Sequence, residues 1–299
     1  SPERILGFLN YNMLFRKFII INKSNSTVDS MYVSMWSDPD VGDANDDFVG
    51  SDTTLSLGFA YNANARDATY GTTPPAAGFD FFQGPIVDGD PDEFAIFDGK
   101  RIFGKKNLPM TAFYFFINSD PIYTDPEQGA YEGTIQFYNL FQGKVSTTGE
   151  PFTTPTGEQT QFTLTGDPKT GEGWVDGELH PPGDRRMGMV SGPFTMAPGD
   201  TQEVVVAEIA AGAFGNVDRL SALDLLKFYD LQAQLVYDNL FQVAAPPAQP
   251  IVKTIETDQQ ISLFWGENKE AVAATENHDS FGYEFEGYNV YQLPNANAT

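Results

Sequence analysis

The sequence predicts a mainly β protein, a β-sandwich of the immunoglobulin or jelly-roll kind with one helix packed on it. Three observations carry that expectation. Aromatic residues make up 14% of the 299 residues, with 25 Phe and 13 Tyr, and such side chains suit pleated, half-buried strands. Gly and Pro are plentiful, at 28 and 20, and they divide the chain into short apolar stretches joined by tight turns. One long segment, about residues 219–241, repeats apolar side chains at spacings of three and four, which is the period of a helix.

Taken in order, residues 14–21 and 28–36 are rich in β-branched and aromatic side chains and flank the polar stretch 22–27, so they predict a hairpin. In the second stretch Tyr32, Ser34 and Trp36 alternate with Met31, Val33 and Met35, and both faces of that strand are expected to be covered. Further strands are expected at 55–61, 94–97, 110–117 and 161–164. Residues 71–84 read as a Pro/Gly/aromatic loop ending in Phe79, Phe81 and Phe82, and residues 143–183, dominated by Thr, Gly, Pro and acids, read as long loops. The Pro198-Gly199 turn feeds a long apolar strand through Val204 and Ile209. Ser221, with Asp224 three residues on, is the expected cap of the helix. Its apolar face comprises Ala222, Leu225, Leu226, Tyr229, Ala233, Val236, Tyr237 and Leu240. The Pro-rich stretch 244–250 is the expected linker between a domain of residues 1–243 and a second unit of residues 251–299. In that unit Ile261, Leu263 and Trp265 alternate on one expected strand and Tyr288 and Val290 on another, either side of an acidic loop 266–287.

Formal charge is -24 and the sequence pI about 4.1. The basic residues occur singly or in pairs such as Lys105-Lys106 and Arg185-Arg186, which excludes the contiguous basic face that nucleic acids and anionic membrane surfaces require. No run approaches the roughly 20 apolar residues that span a bilayer. Without cysteine there is no disulfide framework, thiolate nucleophile or cysteine-ligated metal. Ser1 in place of an initiator Met predicts a processed or partial product.

The densest chemical signal lies in residues 38–52. Asp38, Asp40, Asp43, Asn45 and Asp47 present closely spaced oxygen ligands with almost no basic residue among them, and crowded carboxylates raise one another's pKa unless water or a hard cation sits between them. They are the expected calcium ligands, in a spacing that is not an EF-hand. A second, weaker candidate is the turn holding Asp88, Asp90, Asp92 and Glu93. Calcium at either place is expected to be structural. His180 and His278 belong to no catalytic pattern, so the chain is expected not to be an enzyme.

Three segments together resemble large secreted bacterial surface proteins of the type IX secretion kind. They are residues 22–52 with the Asp38-Pro39-Asp40 loop, the segment from Gly192 to Val204, and the helix leading through a Pro-rich linker into Leu263-Phe264-Trp265. From the linker onward, the strand ending at Trp265 and the Gly287-Tyr288-Asn289-Val290-Tyr291 stretch resemble the first strands of a fibronectin type III domain, here partial. The resemblance implies an extracellular or cell-surface location. The functional expectation is a non-enzymatic structural or adhesive module stabilised by calcium, with other surface-protein subunits or extracellular glycans as partners. Two ways of finishing that partial domain are expected: downstream residues, the favoured one, or strands supplied by another copy, which would make a homo-polymer. The alternative is a carbohydrate-binding or glycoside-hydrolysing protein, in which Phe79, Phe81, Phe82, Tyr123 and Trp174 would stack on sugars and paired carboxylates would act.

Overall fold

The computed structural model describes residues 12–118, 120–240, 247–280 and 283–292. The chain divides into two units, one within residues 8–240 and one holding residues 241–299 together with 1–7.

In the first unit the strands run β1 (Met13–Ile21), β2 (Val28–Ser37), β3 (Asp47–Asp52), β4 (Leu57–Asn62), β5 (Ala76–Gln83), β6 (Ile86–Asp88), β7 (Phe94–Phe97), β8 (Lys100–Phe103), β9 (Lys105–Asn107) and β10 (Ala112–Ile117). Helix α1 (Tyr131–Phe141), the short strands β11 (Phe152–Thr153) and β12 (Gln159–Thr160), the long strands β13 (Arg185–Met196) and β14 (Thr201–Ala211), and helix α2 (Arg219–Asp238) complete it. A five-stranded antiparallel sheet in the order β1-β14-β5-β4-β3 faces a three-stranded sheet in the order β10-β13-β2.

Alternation along the strands fills the space between the sheets. Phe113 and Phe115 of β10 and Met187 and Met189 of β13 meet Val204 and Val206 of β14, Ala60 of β4 and Phe81 of β5, with Trp174 and Leu164 closing one end from loops. The intervening residues point outward and are also buried. Ala112, Tyr114, Phe116 and Val190 pack under α1 through Leu140, joined by Phe137 and Phe141. On the opposite face, Gly78 of β5 admits Leu226 of α2 and Leu57 of β4: a Cβ there would come within 2.9 Å of Leu226 and 3.0 Å of Leu57. The domain is thus a sandwich with a helix on each outer face.

The mainly β sandwich with a packed helix is what the composition predicts, and several local expectations are corrected. Strands β1 and β2 do not form a hairpin; β1 pairs with β14 and β2 with β13, so residues 22–27 cross from one sheet to the other. Asn22 shapes that crossing by donating to Ser26 and Met196 carbonyl oxygens, both at 2.9 Å. The expected loop 71–84 contains β5, the central strand of the larger sheet, because Ala76, Gly78 and Asp80 form a narrow surface that a helix can approach closely. Residues 161–164 form no strand, only a single bridge between Phe162 and Phe113. Helix α1 has no counterpart in the expectations: Ala130 offers no capping side chain, and Gly133 interrupts its helical pattern. That glycine is required, since a Cβ would lie 1.9 Å from the Glu127 carbonyl oxygen.

Helix α2 is capped by Asp218, which accepts from Leu220 N at 3.1 Å and Ser221 N at 2.8 Å, and not by Ser221. Its buried face contains Leu223 and Asp230 and leaves Leu225 and Leu240 partly exposed, so the stripe is rotated from the expected one. The expected helix end at 241, the domain end at 243 and the start of the linker, 244–246, lie outside the described residues.

The second unit holds the hairpin β15 (Lys253–Thr257) and β16 (Gln260–Phe264), helix α3 (Lys269–Glu276), and the two-residue strands β17 (Asp279–Ser280) and β18 (Tyr283–Glu284). The expected acidic loop 266–287 therefore contains a helix, capped by Asn268 and built from good helix formers. The expected strand through Tyr288 and Val290 is absent, since residues 285–292 have no regular structure. Residues 293–299, also assigned to this unit, lie outside the described residues.

Candidate metal centre

The segment between β2 and β3 is folded by carboxylates that accept hydrogen bonds from backbone and amide groups. Asp43 accepts from Asn45 N at 3.0 Å and Asn45 Nδ2 at 2.8 Å, which holds its carboxyl below the usual range. Asp46 takes amide hydrogens from Asn62 at 2.7 Å and Asn64 at 2.8 Å. Asp67 accepts from the backbone of Asp43, Thr69 and Tyr70; burial pushes its carboxyl up, and these donors together outweigh that and lower it. Beneath the loop, buried Arg185 holds Asp176 at 2.9 Å, and Asp176 accepts from Val49 N.

The five expected ligands are split among these partners. Asp38 and Asp40 come together with Asp184, one oxygen of each lying within 4.8 Å of the others. The β2–β13 ladder explains the third member: Met187 pairs with Ser37, so the residues just before β13 run beside those just after β2. Arg186, on β13, reaches Asp38 at 3.2 Å, Asp125 at 3.0 Å and Asp184 at 3.0 Å. A single guanidinium therefore serves three carboxylates. Asp40 is pushed above the usual carboxylate range by burial and by Asp38 and Asp184, with Arg186 opposing. Asp184 Oδ1 is buried with no hydrogen-bond partner.

Asp47 is the most perturbed of the five. It is 1% exposed, its Oδ2 accepts from Val41 N at 3.0 Å, and its Oδ1 has no partner. Burial first, and then Asp46, Asp40 and Asp67, push its carboxyl up to about 7 against the Val41 hydrogen bond. Asp184, Asp125 and Arg186 were missed in sequence because each is far along the chain. The one available signal was the Arg185-Arg186 pair in an otherwise acidic chain.

The second acidic turn does not gather. Asp88 pairs with Lys105, Glu93 accepts from Asp90 N at 2.7 Å and lies 3.9 Å from Lys106, and Asp92 is exposed. Among the described residues, the grouping able to offer three carboxylates to one ion is Asp38, Asp40 and Asp184. Of the aromatic residues considered for sugar stacking, Phe81, Phe82 and Trp174 are buried, and Phe79 and Tyr123 pack against the core. His180 rests edge-on against Tyr123, with Asp120 at 3.8 Å. Comparison with protein-family models, curated proteins and solved structures finds no match to this chain.

Proposed function

We propose that this chain is a non-enzymatic extracellular structural or adhesive module of a larger surface protein, and that calcium stabilises its acidic rim. The observation that carries the calcium reading is the surplus of charge there: Asp38, Asp40 and Asp184 converge within 4.8 Å while, among the described residues, Asp40 forms no ion pair of its own. The donor set is all oxygen, as a hard cation requires, and the orphaned Asp184 Oδ1 adds an acceptor with nothing to accept from. Asp38, Asp40 and Asp184 would hold the ion with water completing its shell, and Asp47 behind them would lose the repulsion it feels from Asp40. Asp43 and Asn45, engaged with each other, shape the loop instead of binding.

The surface location rests on the resemblance of residues 22–52 and 192–204 to secreted bacterial proteins. The partner class that this location implies is other surface-protein subunits or extracellular glycans.

An ion bound only by the folded protein at about 100 times its dissociation constant adds about 2.7 kcal/mol, or roughly 5–10 °C in melting temperature for a domain of this size. Calcium is expected to raise the melting temperature in chelator-treated protein, and Asp40→Asn to abolish most of that rise. An unchanged melting temperature at millimolar calcium would remove the calcium reading.

A further inference from the structure

Asp80 lies on β5, the central strand of the larger sheet, and Asp230 lies in the middle of α2 on that sheet's outer face. Leu226, one turn before Asp230 on α2, packs over Gly78, two residues before Asp80 on the same face of β5, which sets the two carboxyls across the interface from each other, Asp80 0% and Asp230 1% exposed. Among the described residues, no donor satisfies Asp80 Oδ1, Asp80 Oδ2 or Asp230 Oδ1. Two carboxyls buried this deeply side by side, with no ion pair to either among the described residues, favour keeping one proton between them over ionising together.

We propose that Asp80 and Asp230 share one proton and that this pair is a pH-operated latch holding α2 against the sheet. In the closed state the O–H of one carboxylic acid donates to the facing carboxylate, a short charge-assisted bond that leaves a single negative charge across the interface. Release of that proton to solvent leaves two carboxylates repelling one another, one on the helix and one on the strand. The helix then has a reason to move that the rest of its buried face, chiefly Ala222, Leu226, Tyr229 and Ala233, opposes. Burial, and then the facing carboxyl, push Asp80 well above the usual range; burial raises Asp230 likewise, with the Asp80 hydrogen bond opposing.

The other charges around the pair are already committed. Asp52, at the end of β3, is held by Lys227 of α2 at 2.8 Å. Asp238 accepts from Gln234 at 2.6 Å, and its carbonyl oxygen accepts from Arg101 of β8 at 2.8 Å. On β14, Glu203 pairs with Lys17 of β1, and Glu208 with Arg16. Tyr237 donates to Gln83, and Tyr61 of β4 is kept protonated by burial. None of these lysines or arginines is in contact with the pair. Asp230, Leu231 and Gln234 also line a cavity of about 300 Å³ together with Leu55, Phe82 and Leu108, which gives protons a way in without unfolding.

The test is amide hydrogen exchange of the full chain between about pH 5 and about pH 9, corrected for intrinsic rates. The latch predicts that α2 amides lose protection by about tenfold or more at the alkaline end while β13 amides do not. Asp80→Asn supplies an amide donor to Asp230 with no proton to lose, and is expected to remove the difference. Should that variant fail to fold, infrared spectra of the unaltered protein carry the test, because a neutral carboxylic acid band must persist at neutral pH and vanish as the helix loosens. Equal α2 protection at both ends of the range, a loss that survives Asp80→Asn, or no neutral acid band at pH 7 would each overturn the proposal.

Discussion

At the rim, Asp176 is held by Arg185 at 2.9 Å, and Asp38, Asp125 and Asp184 share Arg186; beneath α2, Asp80 and Asp230 face each other and, among the described residues, no ion pair reaches either. Both regions gather carboxyls inside the same acidic domain. The rim faces solvent and lies next to a loop, so cationic side chains and amide donors can be brought to it from several parts of the chain. At the helix–sheet interface apolar packing surrounds the pair and, among the described residues, no lysine or arginine forms an ion pair with it. The difference teaches that a buried acid is not one kind of site. What faces it decides which solution variable it would answer to: on the two proposals above, calcium for Asp38, Asp40 and Asp184, and pH for Asp80 and Asp230.

The largest expected effect tests the arginine-neutralised side. Asp176→Ala strands a guanidinium that is 1% exposed and leaves Val49 N without its acceptor. Removing one partner of a buried pair costs about 3–5 kcal/mol, read as a lower denaturant midpoint, whereas replacing both members with apolar residues recovers much of the loss. A loss below about 1 kcal/mol would mean that water reaches Arg185 and that the contrast in burial is not real.

The second prediction sharpens the contrast by combining pH with calcium. Asp47 and the Asp80–Asp230 pair all have folded-state pKa values above the ordinary carboxylate value near 4. Between that value and the folded one, the native state keeps protons that the unfolded chain has released, so stability from these groups is present at low pH and falls as pH rises. For Asp47 the fall runs from about pH 4 to about 7 and then levels. Calcium on Asp38, Asp40 and Asp184 would relieve only the Asp40 repulsion, so melting curves in saturating calcium should show a slightly smaller Asp47 contribution, whereas Asp47→Asn should remove it. The decline owed to the pair should remain under calcium and disappear only in Asp80→Asn. If calcium flattens the whole profile, the two regions are coupled and the comparison fails.

How much of this was legible in the sequence follows from how local each signal is. The sandwich, the span of α2 and the strands β1, β2, β4, β7, β10, β14 and β16 were readable, because aromatic alternation and helical spacing are properties of neighbouring residues, whereas β5 and the long strand β13, rich in Gly, Pro and Arg, were not. The pairing of β1 with β14 was not, because residues 22–27 suit a hairpin as well as a crossing between sheets. Helix α1 was hidden by Gly133 and an uncapped start, which are tolerated only because the helix docks over Tyr114 and Phe116. At the acidic rim, Asp38 and Asp40 were evident, while Asp184 arrives through the register of β13 on β2, a long-range fact. Asp80 and Asp230 carried no sequence signal at all: each is a single acid in an apolar stretch, and only the packing of α2 on β5 makes them a pair.

The smallest expected effect concerns the turn that carries Asp88, Asp90, Asp92 and Glu93, which serves as the exposed counterpart to both buried regions. Asp88 has nearly its whole side chain in water, at 91% exposure, and its partner Lys105 is itself 43% exposed. Solvent and salt screen such a pair, and holding two long side chains in one geometry offsets what attraction remains. Lys105 lowers the Asp88 carboxyl, first by its hydrogen bond and then by its charge, but a fully hydrated carboxylate is already ionised at neutral pH in the folded and unfolded chain alike. Asp88→Ala and Asp92→Ala are therefore expected to leave the melting temperature, its pH dependence and its calcium response unchanged within error. A calcium response that vanished in Asp88→Ala would move the cation site to this turn, and with it the claim that convergence, more than acid count, decides where an ion binds.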